Sequence, residues 1–323
     1  MPTGLFHTDN VIGNREDLSD VITNISPTET PFLSSIRRVP ASGIFHEWQT
    51  VTLAAAATAG ANAIAEGASA APASGNTTTR IGNRCQIFEK VMRVSNTQMS
   101  VSSAGRNDEW AFQMDLKAKE LVRDIESQLV LSSAAAAGDT TADTARQLQG
   151  WGMSDITNAT AGFLSSNVES QLTTASDTGT RKNLTETVFN NLLQTIWNSG
   201  GNPDTVYVGG YNKRVISNFS ANATRQSSVD FGDKKLNAAV EVYESDFGMI
   251  KIRLSRYVAV TNVAVIESQY WALAQLRPIS FARLARDGDR ELGHFIAEAT
   301  LAAYAPASSG KIIGSASAEG ATT

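Results

Sequence analysis

The stretch from Gly105 to Gly138 reads GRNDEWAFQMDLKAKELVRDIESQLVLSSAAAAG. Its apolar residues recur at steps of three or four, which predicts a single helix with one apolar stripe. The residues of the stripe are Trp110, Met114, Ala118, Leu121, Val122, Ile125 and Leu129. Asn107 is placed to cap the start of this helix, and Gly138 to end it. The predicted helix has about thirty residues, compared with about 11–12 in an average helix, and would span on the order of 45 Å. The pattern therefore predicts either a long core helix or a rigid spine across a flat subunit.

The segment before residue 43 does not have the pattern of a domain. It contains Pro27, Pro31 and Pro40, and proline favours extended geometry in the residue before it. Its apolar residues fall into two short clusters, which are Val21, Ile22 and Ile25, then Phe32, Leu33 and Ile36. Because so short a segment cannot bury these side chains by itself, residues 1–42 are predicted to form an ordered arm on another surface.

Residues 43–104 have the pattern of a long β-hairpin. The outgoing strand is GIFHEWQTVTL and the returning strand is RCQIFEKVMRVSNTQMSV, and both are rich in β-branched and aromatic residues. The tip between them consists almost wholly of Ala, Gly, Ser, Thr and Asn, a composition typical of flexible segments. Since a two-stranded hairpin is marginally stable alone in water, this hairpin is expected to lean on a neighbouring copy of the chain.

The remainder of the chain predicts a mixture of helices and strands. After a polar loop over residues 154–182, the run NLTE at residues 183–186 has capping-box spacing, with Asn183 as the cap. It opens a helix that ends at Gly200 and Gly201. A strand, a short helix and further strands follow and make a compact α+β unit. After Pro278 two strands pair around a turn at residues 286–289, and residues 307–323 are predicted to be a loose tail.

Composition excludes several classes of protein. The chain has 323 residues, of which 18% are charged, a proportion typical of a folded protein. Its formal net charge of -5 gives no indication of a basic surface that would bind nucleic-acid phosphates. The single cysteine, Cys85, excludes an internal disulfide framework. The sequence has neither a signal peptide nor an apolar run long enough to cross a bilayer. We therefore expect a soluble protein made in the cytoplasm.

No motif for catalysis or cofactor binding is found in the sequence. The three histidines, His7, His46 and His294, lie far apart and lack nucleophilic or acidic partner patterns. Four acidic residues match positions one, three, five and twelve of a calcium loop, namely Asp287, Asp289, Glu291 and Glu298. The glycine that such a loop requires is replaced by Leu292, so the match is rejected. The sequence predicts no catalytic residue, no cofactor and no metal.

The order of the parts resembles the major capsid proteins of tailed bacteriophages, which have the Hong Kong 97-type fold. This order is an arm, a long hairpin with a small-residue tip, a spine helix, an α+β unit and closing strands. The run SPTETPF at residues 26–32 resembles the SU-ten-like branch of that family. The resemblance implies an N-terminal arm over 1–42, an extended loop over 43–104 and an axial domain over 151–276. It also implies a peripheral domain with the spine helix over 105–150 and 277–306, and a C-terminal tail over 307–323.

What the resemblance implies for function is an icosahedral head shell. The chain would assemble as hexamers and pentamers around the double-stranded DNA genome of a tailed phage, in the host cytoplasm, and would be found in the virion. A portal, a separate scaffolding protein and a possible decoration protein are the implied partners, with weak contact to the packaged DNA and none to a membrane. Five apolar residues of the arm and hairpin are the expected inter-subunit contacts, namely Phe32, Leu33, Trp48, Phe88 and Met92.

Two departures from the best-known member of the family carry expectations of their own. That member joins a lysine of its extended loop to an asparagine of a neighbour, whereas the first lysine here is Lys90 and the tip contains none. We therefore expect no covalent cross-linking of the shell. No helical scaffolding segment precedes the arm, so the scaffolding protein is expected to be a separate chain.

Three other classes of protein stay open from the sequence alone. An encapsulin, which is a bacterial compartment that holds an enzyme cargo, shares the fold. A soluble α+β enzyme with an unfamiliar site would be a monomer or a small oligomer. A tail-tube or decoration protein is also conceivable, although these are usually rich in β-structure and do not need a spine helix.

Overall fold

A computed structural model describes residues 26–58, 62–69, 75–101, 108–132, 134–139, 141–152, 162–164, 167–170, 182–219, 241–286 and 288–315. The described helices are α1 Pro31–Ser35, α2 Asn96–Ser100, α3 Glu109–Leu131, α4 Glu186–Asn198 and α5 Gly210–Ser217. The described strands are β1 Arg37–Pro40, β2 Phe45–Val51, β3 Thr78–Arg84, β4 Gln86–Ser95, β5 Val168–Ser170, β6 Thr205–Val208, β7 Val242–Ser245, β8 Gly248–Leu254, β9 Val263–Ile266, β10 Trp271–Arg283, β11 Arg290–Ala303 and β12 Gly310–Ile313.

These strands form two larger sheets and a separate hairpin. The first, which we call the peripheral sheet, has the order β1-β10-β11-β4, and α3 packs against β4 and β11. The second, the axial sheet, has the order β5-β12-β9-β6-β8-β7, and the apolar sides of α4 and α5 pack on it. The hairpin consists of β2 and β3. This mixture of helices and largely antiparallel sheets confirms the predicted α+β class.

The spine helix α3 is shorter than the sequence predicts. It begins at Glu109, and the Asp108 carboxylate caps it by accepting from the amides of Trp110 (2.8 Å) and Ala111 (3.2 Å). The cap is therefore Asp108 rather than Asn107, which lies outside the described residues. The helix has 23 residues, which corresponds to about 35 Å.

The end of the spine helix was also predicted wrongly. The helix stops at Leu131, whereas Gly138 lies beyond it with a φ of 70°, next to an antiparallel bridge between Asp139 and Thr144. The last carbonyls of a helix need partners. Here the amides of Gly150 and Trp151 supply them, donating to the carbonyls of Ser132 and Leu129 at 3.1 and 2.9 Å. A segment distant in sequence therefore ends the helix, which no local pattern could indicate.

The returning strand of the hairpin also differs from the prediction. Strand β2 pairs with β3, from Phe45 opposite Arg84 to Val51 opposite Thr78. Strand β4 was predicted to belong to this returning strand, but it pairs with β11 in the peripheral sheet. Alternate side chains of β4 are buried, among them Phe88 and Met92. The same period of two suits a hairpin and a sheet strand, so the sequence pattern could not separate them.

Two further predictions for the C-terminal part of the chain differ from the structure. Strand β10 runs through Pro278 as one element, with register shifts between Gln275 and Ser280, and proline is tolerated at such irregular positions. Strand β12 was predicted to lie in a loose tail. Instead it is buried between β5 and β9 of the axial sheet.

The helix α4 starts two residues later than a cap at Asn183 would place it. Thr185 is the residue that caps it, since its hydroxyl accepts from the amide of Val188 at 3.4 Å. The helix ends at Asn198, before Gly200 with a φ of 86°, as the sequence predicts. None of the helices in the part of the chain that the structure describes has the length and apolar character needed to cross a membrane.

Candidate assembly surfaces

The arm segment lies at the junction of the two sheets. Phe32 of α1 is fully buried, and its ring lies 4.1 Å from Trp151, 5.9 Å from Tyr207 and 6.2 Å from Trp271, measured between ring centroids. Trp271 begins β10 of the peripheral sheet and Tyr207 lies in β6 of the axial sheet. The second apolar cluster of the arm is therefore buried within its own subunit. The surface on which this cluster lies belongs to its own subunit. The first cluster, residues 21–25, lies outside the described residues.

The five predicted inter-subunit residues are all buried in the single chain. Their exposed fractions run from 0% to 7%, for Phe32, Leu33, Trp48, Phe88 and Met92. Trp48 packs against Phe163 and Tyr304, with ring centroids about 6 Å apart. Each of the five residues has little surface left for a neighbour. Their contact with another subunit stays a prediction, and larger apolar surfaces lie elsewhere.

One such surface is the hairpin and its tip. Val51, Leu53 and Ile64 expose 55%, 79% and 75% of their surface. The tip contains a single charged residue, Glu66, between Val51 and Thr79. In the sequence, Leu53 and Ile64 stand out as large apolar residues among small ones. The predicted inter-subunit contacts did not include them. Burial of such side chains against another chain would be favourable, because it removes apolar surface from water.

A second surface is the face of β4 that points away from the spine helix. Ile87 and Val91 expose 48% and 39% of their surface and alternate with the buried side chains of the same strand. Between them Glu89 pairs with His294 of β11, with 2.5 Å between Oε1 and Nδ1. This face mixes apolar and charged side chains, which is typical of interfaces that also meet water.

A third surface lies at the end of the axial sheet. Trp197 of α4 is 59% exposed, and its ring lies 6.1 Å from that of Phe247 in the turn between β7 and β8. Met249 at the start of β8 is 72% exposed. Among the described residues, β7 pairs only with β8. An outer strand with apolar neighbours is a surface suited to contact with another chain.

The histidines do not form a site with one another. His46 lies in the hairpin, and burial lowers its pKa from the ordinary value. His294 is in β11, and His7 lies outside the described residues. No group of three or more potential metal ligands occurs within the ranges that the structure describes.

The acidic residues of the rejected calcium loop have other partners. Glu298 accepts from Arg146 at 2.7 Å and from Arg277 at 3.0 Å, and Glu291 from Arg286 at 2.6 Å. Asp289 accepts from Asn96 at 2.6 Å, and Asp287 lies outside the described residues. Glu291 and Glu298 are seven residues apart on one strand, which is about 23 Å. They cannot surround one ion.

Solved structures with the same architecture identify the fold. The chain superposes on a structure described as the cyanophage A-1(L) capsid asymmetric unit with a TM-score of 0.67 and 12% identity, covering 96% of this chain and 98% of that one. It superposes on a structure of phage G gp27 major capsid proteins and gp26 decoration proteins with a TM-score of 0.53 and 12% identity, covering 94% and 98%. The fold is therefore the Hong Kong 97-type fold of tailed-phage capsids.

The sequence itself places the chain within one family of that fold. The family model described as SU10 major capsid protein matches residues 3–316, so the chain belongs to the SU10 major capsid protein family, whose members are structural proteins rather than enzymes. The major capsid protein of Escherichia phage Phieco32 is 34% identical over 131 residues, which is 41% of this chain. The match spans 36% of that relative's length. Fold and family thus confirm the resemblance to the major capsid proteins of tailed bacteriophages and to their SU-ten-like branch.

Proposed function

We propose that the chain assembles with copies of itself into the icosahedral head shell that encloses the double-stranded DNA genome of a tailed phage. The observation that carries this proposal is the family match over residues 3–316. The fold supports it, since the same architecture occurs in solved capsid structures. The family match also favours a phage shell over an encapsulin.

The exposed apolar surfaces support self-assembly. The hairpin tip and the free end of the axial sheet present large apolar side chains to water, including Leu53, Ile64, Trp197 and Met249. Complete burial of a fully exposed side chain of this size gains about 1.5–3 kcal/mol, and each of these, being partly exposed, would gain a share of that amount. Obligate interfaces bury on the order of 2,000 Å² or more, and a closed lattice repeats such contacts by symmetry.

The finer features of this proposal are hexamers and pentamers as building units and the division into arm, extended loop, peripheral and axial domains. They also include a portal, a separate scaffolding protein, weak contact with DNA, and assembly in the host cytoplasm. A decoration protein is part of the proposal too, by analogy with the phage G capsid structure, which contains gp26 decoration proteins. The virion is the expected location of the chain.

The experiment is electron microscopy and light scattering of the purified full chain, expressed alone and in phage-infected cells. We expect capsomer-sized oligomers or shells, and DNA inside particles from infected cells. A monomer at every concentration would contradict the proposal, and particles filled with an enzyme would favour the encapsulin.

A pair of variants tests whether the hairpin tip contributes. Leu53→Ser combined with Ile64→Ser removes the two most exposed apolar side chains of the tip, and assembly should be lost while the subunit stays folded. Ala55→Ser combined with Ala65→Ser is the matched control, since it introduces the same hydroxyls without removing a large side chain. Equal assembly by both double variants would show that the tip does not contact a neighbour.

A further inference from the structure

The short helix α1 is held from one side by the spine helix. Glu126, in the C-terminal half of α3, is fully buried. Its Oε1 accepts from the amide of Phe32 at 3.0 Å, and its Oε2 from the amide of Leu33 at 2.7 Å. The first amides of a helix have no acceptor within the helix. The carboxylate of a residue more than ninety positions away in sequence takes that role here.

The same helix is held from the other side by the axial sheet. The Ser35 hydroxyl and the Tyr207 hydroxyl lie 2.6 Å apart. Tyr207 is fully buried, and this burial raises its pKa to about 12, so its hydroxyl stays protonated at neutral pH. The Phe32 ring fills the space between Trp151, Tyr207 and Trp271.

A third connection runs to the peripheral sheet. The chain continues directly from α1 into β1, which pairs in parallel with β10 from Arg37 opposite Ala272 to Pro40 opposite Gln275. Five residues of α1 thus contact the spine helix, the axial sheet and the peripheral sheet at once. A movement of one sheet relative to the other must displace this helix or break its contacts.

We propose that α1 is a wedge that sets the orientation of the peripheral sheet relative to the axial sheet, and that Glu126 is the positioning residue that holds the wedge. A buried carboxylate is costly unless hydrogen bonds compensate it. Two arm amides provide that compensation, so departure of the arm would take both hydrogen-bond donors away from the carboxylate. The wedge and the spine helix therefore stabilise each other.

The consequence for assembly rests on the proposed function. Exposed apolar side chains lie on both sheets, including Val91 on the peripheral sheet and Met249 on the axial sheet. If neighbours cover both, the angle between the sheets contributes to the curvature of the shell. A loosened wedge should yield particles of variable diameter. The wedge itself can be tested on the unassembled full chain, so that failure of the shell proposal and failure of the wedge proposal are distinguished.

The first test is hydrogen exchange, measured by mass spectrometry on peptides that contain α1. In Glu126→Ala the amides of Phe32 and Leu33 should exchange at least tenfold faster than in the natural chain. In Glu126→Gln one acceptor oxygen remains, so the acceleration should be smaller, about threefold. Glu120→Ala on the same helix is the control, since Glu120 pairs with Lys117 near the surface, and it should change exchange less than twofold.

The second test reports orientation rather than stability. Spin labels at Arg93→Cys on β4 and Glu244→Cys on β7, both exposed positions, give a distance distribution between the two sheets. It should broaden in Glu126→Ala and in Tyr207→Phe, and stay unchanged in Glu120→Ala. Unchanged α1 exchange or an unchanged distribution in Glu126→Ala would overturn the proposal. Should that variant not fold, Glu126→Gln decides by the same two measurements.

Discussion

Asn83 joins the hairpin to the body of the subunit, and its replacement gives a sharp prediction. The side chain is fully buried. Its Nδ2 donates to the carbonyls of Gln149 (2.9 Å) and Leu301 (2.8 Å), and its Oδ1 accepts from the amides of Gln149 (2.8 Å) and Arg84 (2.9 Å). The side-chain amide of Asn83 thus makes two hydrogen bonds through Nδ2 and two through Oδ1. These bonds connect strand β3 to β11 and to the segment that follows the spine helix.

The expected cost of Asn83→Ala follows from the groups left without partners. The amides of Gln149 and Arg84 and the carbonyls of Gln149 and Leu301 each lose a bond, and a buried backbone group without a partner costs about 1–3 kcal/mol. Because water can enter part of the space and restore some bonds, we expect the free energy of unfolding to fall by about 3–5 kcal/mol.

Urea unfolding of the full chain, followed by tryptophan fluorescence, measures this loss, and hydrogen exchange at the Gln149 amide measures the local opening. Gln49→Ala is the control, since Gln49 lies on the exposed side of β2, and it should cost less than about 0.5 kcal/mol. A loss below about 1 kcal/mol in Asn83→Ala, with unchanged exchange at Gln149, would refute the reasoning that these bonds anchor the hairpin.

Three further predictions concern pH, packing and cross-linking. Burial lowers the pKa of Lys311 from 10.5 to about 8, so from about pH 8 to about pH 9 the unfolded chain binds more protons and the free energy of unfolding should rise with pH. Lys311→Met should flatten that rise in urea titrations. Burial raises the pKa of Cys85 to about 11 and the pKa values of Tyr207 and Tyr243 to about 12, so the thiol opposes the rise above about pH 9 and the two phenols above about pH 10. Gly150→Ala would place a Cβ 2.4 Å from the carbonyl oxygen of Leu129, whereas the Cβ of Gly75→Ala would meet nothing within 4 Å. Urea unfolding should therefore show a free energy of unfolding that is lower by about 1–3 kcal/mol in Gly150→Ala and unchanged in Gly75→Ala. Mature particles boiled in detergent should release monomer on a denaturing gel, and a ladder of covalent oligomers would show that the shell is cross-linked.

The spacing of apolar residues in the sequence predicted those features that depend on residues close together in the chain. The stripe of α3 is buried at Trp110, Leu121, Ile125 and Leu129, because a helical period of 3.6 places these residues on one face wherever the helix lies. The end of α4 was predictable too, since Gly200 adopts a left-handed φ that glycine tolerates best. The run SPTETPF and the order of the parts indicated the capsid family.

Distant partners decided the features that the sequence reading missed. The spine helix stops where residues 150 and 151 cap it, β4 pairs with β11, and β12 fills the axial sheet between β5 and β9. Glu126 could not be recognised as a buried residue, because a glutamate within a polar helix pattern is ordinarily exposed. Its role depends on two amides of the arm that only the folded chain brings near.

The amino-acid sequence by itself determined the helical stripe, the strand-forming segments, the absence of catalytic motifs and the family to which this chain belongs, since each of these depends on residue types at short spacing. The tertiary structure alone decided which strand lies beside which, where the spine helix ends, and that the arm cluster is buried in its own subunit. The physical reason is that hydrogen bonds and apolar contacts between distant segments compete with equally plausible local pairings, and the packing of the whole chain selects among them.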